Sequence, residues 1–166
     1  MNIRKANISD SIHIVELIKR CVTEMIKLGF DQWDPEYPGI QEVHNDIVES
    51  NLYLMEDSGK IIAMVTLNKH QDEEYDEINW SSDREESMVV HRLAVDPLYK
   101  RKQIGRKMME HVEDVARKAG IKAIRLDTYS DNQAAMEFYM NLGYKQVGVV
   151  NFSRRPLPFP VFEKIL

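Results

Sequence analysis

The sequence predicts a mixed α/β or α+β domain built on a mixed sheet, and three patterns predict it. In the second half of the 166-residue chain, apolar strand-like runs alternate with helical ones. In the first half, runs 51–56 and 60–68 flank Asp57-Ser58-Gly59, a compact hairpin signal. The helical runs themselves carry apolar residues at three- and four-residue spacing. The length corresponds to one domain, 1–166. A chain of this size buries roughly 68–70% of its unfolded surface, enough for a core without disulfides or metals.

The elements follow in order. Residues 2–5 read as a short strand. Ser9 is the expected N-cap of a helix with Asp10 in its first turn, whose apolar stripe includes Ile14, Ile18, Cys21, Met25 and Ile26. Gly29 stops it. A turn-rich loop, 30–39, carries Phe30, Trp33 and Tyr37. A helix over 41–49 turns Val43, Ile47 and Val48 inward. After the hairpin, the acidic stretch 69–87 is irregular, with a strand or turn expected near Ile78-Asn79-Trp80. Residues 88–95 form a strand ended by Asp96-Pro97. The helix 103–119 shows Ile104, Met108, Val112, Val115 and Ala119 on one face, with Arg117 and Lys118 in its last turn and Gly120 after it. A strand at 122–128, a helix at 132–142 ended by Gly143, and strands at 144–150 and 160–165 complete the chain.

Composition narrows the function classes. A net charge of −5 argues against a nucleic-acid partner. No run reaches the ~18 apolar residues of a membrane span, and Met1-Asn2-Ile3-Arg4-Lys5 opens no signal-peptide apolar run. Cys21 is the single cysteine, expected as a buried packing residue. The expectation is a cytoplasmic protein without membrane partner. His13, His44, His70 and His111 show no metal-ligand spacing, so no metal is expected.

Charge is unevenly spread. Acid gathers in 71–77 and 83–86, base in Lys100-Arg101-Lys102 and Arg106-Lys107. The basic turn leads from strand 88–95 into the long helix. The first amides of a helix lack intrahelical acceptors and carry the positive end of its dipole, so such a turn forms an anion cradle. Gly105 removes a side chain beside it. By composition alone, a phosphate-bearing ligand and a solvated basic turn both remain open.

His91-Arg92-Leu93-Ala94-Val95-Asp96-Pro97-Leu98-Tyr99-Lys100-Arg101-Lys102-Gln103-Ile104-Gly105-Arg106 resembles motif A of the GNAT acetyltransferases, written Q/R-x-x-G-x-G/A. Lys100 stands at its first position, Gln103 at its first glycine and Gly105 at its second. Asn132, Ala135, Tyr139, Gly143 and Tyr144 fit the family's motif B, N-x-x-A-x-x-x-Y-x-x-x-G-F/Y. The resemblance covers nearly the whole chain. It implies a mostly antiparallel sheet of six or seven strands, splayed between strands 88–95 and 122–128 and flanked by about four helices. It further implies an acetyl-CoA-dependent N-acetyltransferase acting on a small-molecule or peptide amine, with homodimer formation left open. Acetyl-CoA would meet Leu93, Ala94 and Val95. Lys100, Arg101, Lys102, Gln103, Ile104, Gly105 and Arg106 would surround its pyrophosphate, and Asn132, Ala135, Phe138 and Tyr139 would line its other side.

In that reading Tyr139 donates to the departing sulfur. A phenol near pKa 10 is a weaker acid than a thiol near 8.5, so stabilisation by hydrogen bonding outweighs early proton transfer. An alkylamine near 10.4 costs ~4–5 kcal/mol to present neutral at pH 7, an α-amino group only ~1 kcal/mol, so an alkylamine acceptor needs a base. His91 is the first candidate, since strand alternation would put it on the face of Leu93 and Val95, against the plainer reading of a satisfied core histidine; Glu74, Glu77, an unassigned group or bulk water are the alternatives. Trp33, Tyr37, Tyr75 and Trp80 with Glu77 could frame a cationic acceptor, against the plainer reading of core and rim aromatics beside a solvated acidic loop. The rival to an enzyme is a non-catalytic acetyl-CoA-binding or interaction module.

Overall fold

In the computed structural model, which describes residues 1–100 and 102–166, strands β1 (Asn2–Lys5), β2 (Leu52–Asp57), β3 (Lys60–Asn68), β4 (Ser87–Val95), β5 (Ala123–Asp127), β6 (Lys145–Val150) and β7 (Phe159–Ile165) form one sheet. Their order is β1-β2-β3-β4-β5-β7-β6. The helices are α1 (Ser11–Leu28), α2 (Ile40–Val48), α3 (Ile104–Lys118) and α4 (Gln133–Asn141). The β1/β2, β2/β3, β5/β7 and β6/β7 pairs are antiparallel, whereas β4 and β5 run parallel. Their register, Ser87↔Ala123 to Val89↔Arg125, covers the first three residues of each strand, although β4 continues to Val95 and β5 to Asp127. The sheet is therefore the expected mixed, mostly antiparallel one, with seven strands and four helices. None of the described helices is long and apolar enough to cross a membrane.

Local chemistry explains where the elements begin and end. Ser9 does not cap α1: the helix follows Asp10, whose side chain makes no capping bond to it, and the capping box belongs to the 3₁₀ turn Ile8–Asp10 before it. Asn7 accepts from the Ser9 amide at 3.0 Å while the Asp10 carboxylate accepts from the Asn7 amide at 2.8 Å, a reciprocal capping box around a 3₁₀ turn. Gly29, at φ +84°, closes the helix as expected. The buried stripe runs Ile14, Leu17, Ile18, Cys21 and Val22, and Ile26 instead lies 60% exposed. In α2, Val43 and Ile47 are buried but Val48 is 76% exposed. The acidic stretch holds no strand at 78–80. It makes 3₁₀ turns at Glu73–Glu77 and Arg84–Glu86, with the Trp80 amide bonded to the Ile78 carbonyl at 3.0 Å.

The chain divides into two compact units, Met1–Leu67 with His91–Val112 and Asn68–Val90 with Glu113–Leu166. The core of the first packs α1 residues Ile14, Leu17 and Ile18 with Leu52, Leu54, Met64 and Ala94. The core of the second is aromatic, with Tyr75, Tyr129, Phe152 and Phe159 around Val89 and Val161. Cys21 is buried in the first core, and that burial pushes its thiol up to about 12, so it stays a neutral packing group.

Within the first unit β4 is not regular. Arg92 has φ +51°, a left-handed conformation costly for a residue with a Cβ. Its guanidinium grips buried Asp46 with two bonds, Nε to Oδ2 at 2.9 Å and Nη2 to Oδ1 at 2.7 Å, and Asp46 Oδ2 also accepts from Thr66 Oγ1 at 2.8 Å. The ion pair thus holds the irregular residue to α2 and β3. Regular alternation of faces does not carry through Arg92 and so does not fix which face of β4 His91 shares. Removing one partner of such a pair strands the other charge in the interior. Asp46→Ala is expected to destabilise by about 3–5 kcal/mol in urea unfolding. A loss under 1 kcal/mol would show that the pair does not hold β4.

Candidate active site

The anion cradle is the junction of the basic turn with α3. The helix starts at Ile104, and Lys107 N–H donates to the Gln103 carbonyl at 3.1 Å. The amides of Ile104, Gly105 and Arg106 therefore have no acceptor inside the helix and face the positive dipole end. Ile104 contributes only its backbone there, because its side chain is buried. Arg101 lies outside the described residues. The basic side chains are less available than the sequence implied. Lys100 Nζ pairs with Glu24 at 2.9 Å, Lys102 Nζ lies 4.7 Å from the Tyr99 ring centre, and Arg106 Nη1 stands 3.9 Å from Glu110.

Gln103 occupies the position where the motif has glycine, and its φ is +58°. The turn into α3 needs a left-handed residue there, which accounts for glycine in the pattern and for a strained glutamine in this chain.

In the second unit, Asn132 caps α4, its side chain accepting from the Ala135 amide at 3.1 Å. Ala135 and Phe138 are half-buried on the same helix. Tyr139 is buried, its ring 5.2 Å from Phe138 and 5.9 Å from Tyr144 edge-on. Tyr144 is tied by its hydroxyl to buried Glu113 at 3.0 Å, which also takes Lys164 at 2.8 Å. Burial, with the negative charge of Asp127, raises the Tyr139 phenol well above its ordinary range. Its hydroxyl therefore keeps its proton at neutral pH.

Asp127, at the end of β5, was missed by sequence reasoning. Its carboxylate accepts from the Tyr75 hydroxyl at 2.6 Å. Desolvation pushes its pKa up to about 6, with Asp72 and Glu74 acting in the same direction and the Tyr75 hydrogen bond and Arg154 opposing. A carboxyl poised near neutrality beside a buried tyrosine has the properties of a general base. A single acid in a strand of alternating apolar residues gives no such signal, because the shift comes from neighbours distant in sequence.

The aromatics expected to frame the acceptor divide between the two units, each packed in or against its own unit's core. Trp33 is a core residue of the first unit, with Tyr37 packed against that core. Tyr75 is 2% exposed in the second core. Trp80 packs against it, ring centres 5.1 Å apart, and has the Arg125 guanidinium 4.4 Å from its ring centre. What the acidic stretch does form is an open cleft of about 490 Å³, lined by Glu73, Glu74, Glu77, Ile78, Val149, Val150 and Asn151. Glu77 is thus exposed on a cleft wall. His91 is half-buried on β4. Among the described residues no group of three metal-ligating side chains gathers.

Because Gln103 bears a left-handed φ, Gln103→Gly is expected to raise stability by about 0.5–1 kcal/mol despite the added chain entropy. A fall in melting temperature would show that the side chain holds contacts worth more than the backbone strain.

Residues 16–144 match the Acetyltransferase (GNAT) family, a span crossing both units. An uncharacterized N-acetyltransferase of Bacillus subtilis, YesJ, is 27% identical over 142 residues, covering 84% of this chain and 78% of that protein. The [ribosomal protein bS18]-alanine N-acetyltransferase of Escherichia coli is 33% identical over 61 residues, 37% of this chain and 41% of that one. The PaiA N-acetyltransferase of Thermoplasma acidophilum, solved in complex with coenzyme A, superposes with a TM-score of 0.79 at 20% identity over 99% of this chain and 98% of that one. With its motif A turn entering α3, its motif B helix α4 and a match over most of its length, the chain belongs to the GNAT family and is an N-acetyltransferase.

Proposed function

We propose that this domain, residues 1–166, moves the acetyl group of acetyl-CoA to a primary amine by direct attack within a ternary complex. The observation that carries the reading is one compact unit holding both a buried tyrosine that keeps its proton and a carboxyl that ionises near pH 6. Acetyl-CoA supplies the activated acetyl group. In this reading the amides of Ile104, Gly105 and Arg106 receive its pyrophosphate, with Lys102 and Arg106 close by in sequence. The backbone of Leu93 to Val95 pairs with its pantetheine arm, and Asn132, Ala135 and Phe138 line it. The PaiA N-acetyltransferase of the same fold, solved with coenzyme A, supports a coenzyme A site in this reading.

The chemistry divides between two groups. Asp127, ionised above pH 6, takes the proton that the amine sheds as its nitrogen bonds to the acetyl carbon. Tyr139 stabilises the departing thiolate by hydrogen bonding, since its raised pKa opposes full transfer. His91 is the alternative base, distinguished below. For the acceptor, the cleft at Glu73, Glu74 and Glu77, with Ile78, Val149 and Val150 as apolar wall, favours a cationic amine on an aliphatic stem. A peptide N-terminus is the second reading, favoured by the bS18-alanine acetyltransferase relative. Its α-amine needs less help from a base. The domain would work where acetyl-CoA is made, in the cytoplasm.

Acetyl-CoA at 100 times its dissociation constant is expected to stabilise the protein by about 2.7 kcal/mol. Thiol release should then follow addition of amines or peptides from a panel of diamines, polyamines, aminoglycosides and alanine-started peptides. No thermal shift at millimolar acetyl-CoA would sink the enzyme and the binding-module readings together. A shift without thiol release on any acceptor would favour the module.

Asp127→Asn retains an acceptor for Tyr75 and should lower kcat/KM by about 10²–10⁴ at pH 7.5. It should also abolish the fall in kcat/KM expected of the parent enzyme below about pH 6. Stability should respond oppositely. The folded pKa lies above the unfolded value, so the stability due to protonation is complete below about pH 4 and is lost as pH rises through 6. The variant is therefore expected to be more stable than the parent at pH 8, the gap closing toward pH 4. An unaltered pH–rate profile would return the role to His91.

A further inference from the structure

The segment 69–87 is bound down far more firmly than an acidic connection requires. Buried Gln71 donates to the Arg84 carbonyl at 3.2 Å and to Ser87 Oγ at 3.1 Å, and its Oε1 accepts from Arg125 Nη1 at 2.6 Å. Arg125, buried on β5, also donates to the Ser82 carbonyl and stands over Trp80. Glu163 of β7 accepts from the Ser81 amide at 2.8 Å and Ser82 Oγ at 2.7 Å. Trp80 Nε1, in turn, donates to the Tyr75 carbonyl at 2.9 Å. This chain of contacts fixes Tyr75 relative to the strand that ends in Asp127.

We propose that Tyr75 is the positioning residue of the base, its hydroxyl holding one oxygen of the Asp127 carboxylate so that the other stays aimed at the acceptor nitrogen. The inference rests on the reading of Asp127 as the base. Geometry supports it first. The bond to Asp127 Oδ2 is 2.6 Å long, the length of a charge-assisted O–H···O⁻ bond. Its donor is 2% exposed with its ring in a packed core. Burial and the adjacent carboxylate keep the Tyr75 phenol protonated throughout the working pH range, so the donation is permanent.

The groups that act on Asp127 come from three elements. Tyr75, Asp72 and Glu74 belong to the 69–87 segment, Arg154 to the β6–β7 connection and Tyr139 to α4. Asp72 and Glu74 disfavour the carboxylate, and Arg154 favours it. Tyr75 bonds the carboxylate directly and is itself anchored through Trp80. The same 3₁₀ turn carries Glu73, Glu74 and Glu77 outward to the cleft. One element therefore positions the base from within and lines the acceptor cleft from without.

Tyr75→Phe keeps the ring and removes the donor. The acid limb of kcat/KM should move up by about half to one pH unit, and kcat on the plateau should drop about 3–30-fold with KM for acetyl-CoA unchanged. The ¹³C carboxyl resonance of Asp127 should titrate higher by the same amount. Fluorotyrosine at position 75, a stronger donor with the same shape, should move limb and resonance the other way. This second variant keeps the test intact if the first folds poorly. Limb and resonance unmoved by either variant, while Asp127→Asn still removes the limb, would overturn the positioning role and leave the base assignment standing. A limb that survives Asp127→Asn would overturn both.

Discussion

Much of the first unit depends on the conformation of a single residue in β4. A strand interior is a poor place for a left-handed non-glycine residue, which costs roughly 1–2 kcal/mol. Arg92 is held there by two bonds to Asp46, which is itself bonded to Thr66 of β3. A side chain with five fixed donors can impose a backbone angle that glycine would merely permit. The consequence lies downstream, for Leu93 to Val95 follow the irregularity directly. Their outward groups are set by the Arg92 clamp rather than by regular pleating. Asp96, fully buried, then accepts from Arg20 and the Leu98 amide and pairs with Lys60, fixing the exit from the strand.

The same segment holds a second strained residue. Gln103 sits in the left-handed region at the entry to α3. Lys100 and Gln103 both depart from the anchor residues of motif A, and Gln103 stands where the pattern has glycine. The backbone resolves the matter. The pattern's glycine reflects a backbone angle, and this chain adopts the angle without the glycine. The donors of a phosphate cradle are amides, which any non-proline residue supplies, so the departure costs stability rather than the cradle. Two non-glycine residues with positive φ, eleven positions apart, thus bracket the turn that would receive the cofactor. Strain concentrated this way is typical of sites whose geometry is selected over stability.

Element type was legible nearly everywhere in the sequence, and element facing was less so. Alternating strand and helix signals located every strand, with ends within one residue or so, because the apolar periodicities are strong. Facing failed at Ile26 and Val48, where an apolar residue at the edge of a stripe was assigned inward. At the edge of a stripe the angle around the helix axis, not hydrophobicity, decides whether a residue reaches the core, as buried Ile47 beside exposed Val48 shows. The cap of α1 was misplaced for a related reason: Asn7, Ser9 and Asp10 are all good capping residues, and only the 3₁₀ turn decides among them. Motifs located Gln103, Asn132 and Tyr139. They were silent on Asp127, whose properties come from Tyr75, some fifty residues away, and from burial that no local pattern encodes.

The 69–87 segment was the hardest to read and has the most consequences. Its composition, rich in Asp and Glu with two aromatics, matches a solvated loop as well as a binding element. The difference lies in which side chains turn inward. In a 3₁₀ turn a residue is flanked by neighbours that project elsewhere, so Tyr75 can enter the core while Glu74 and Asp76 remain exposed. Acidic residues kept outside hold the cleft negative. The tyrosine kept inside supplies the hydrogen bond that offsets part of the desolvation of Asp127. Were Asp127 desolvated without that bond, its carboxyl would be driven further toward the neutral acid and would lose function as a base at neutral pH. Were it solvated, its pKa would return toward 4 and it would be too weak a base. The intermediate value follows from burial, with Asp72 and Glu74 adding to the rise, opposed by one fixed donor and the charge of Arg154, and the Gln71, Arg125, Glu163 and Trp80 contacts keep that donor in place.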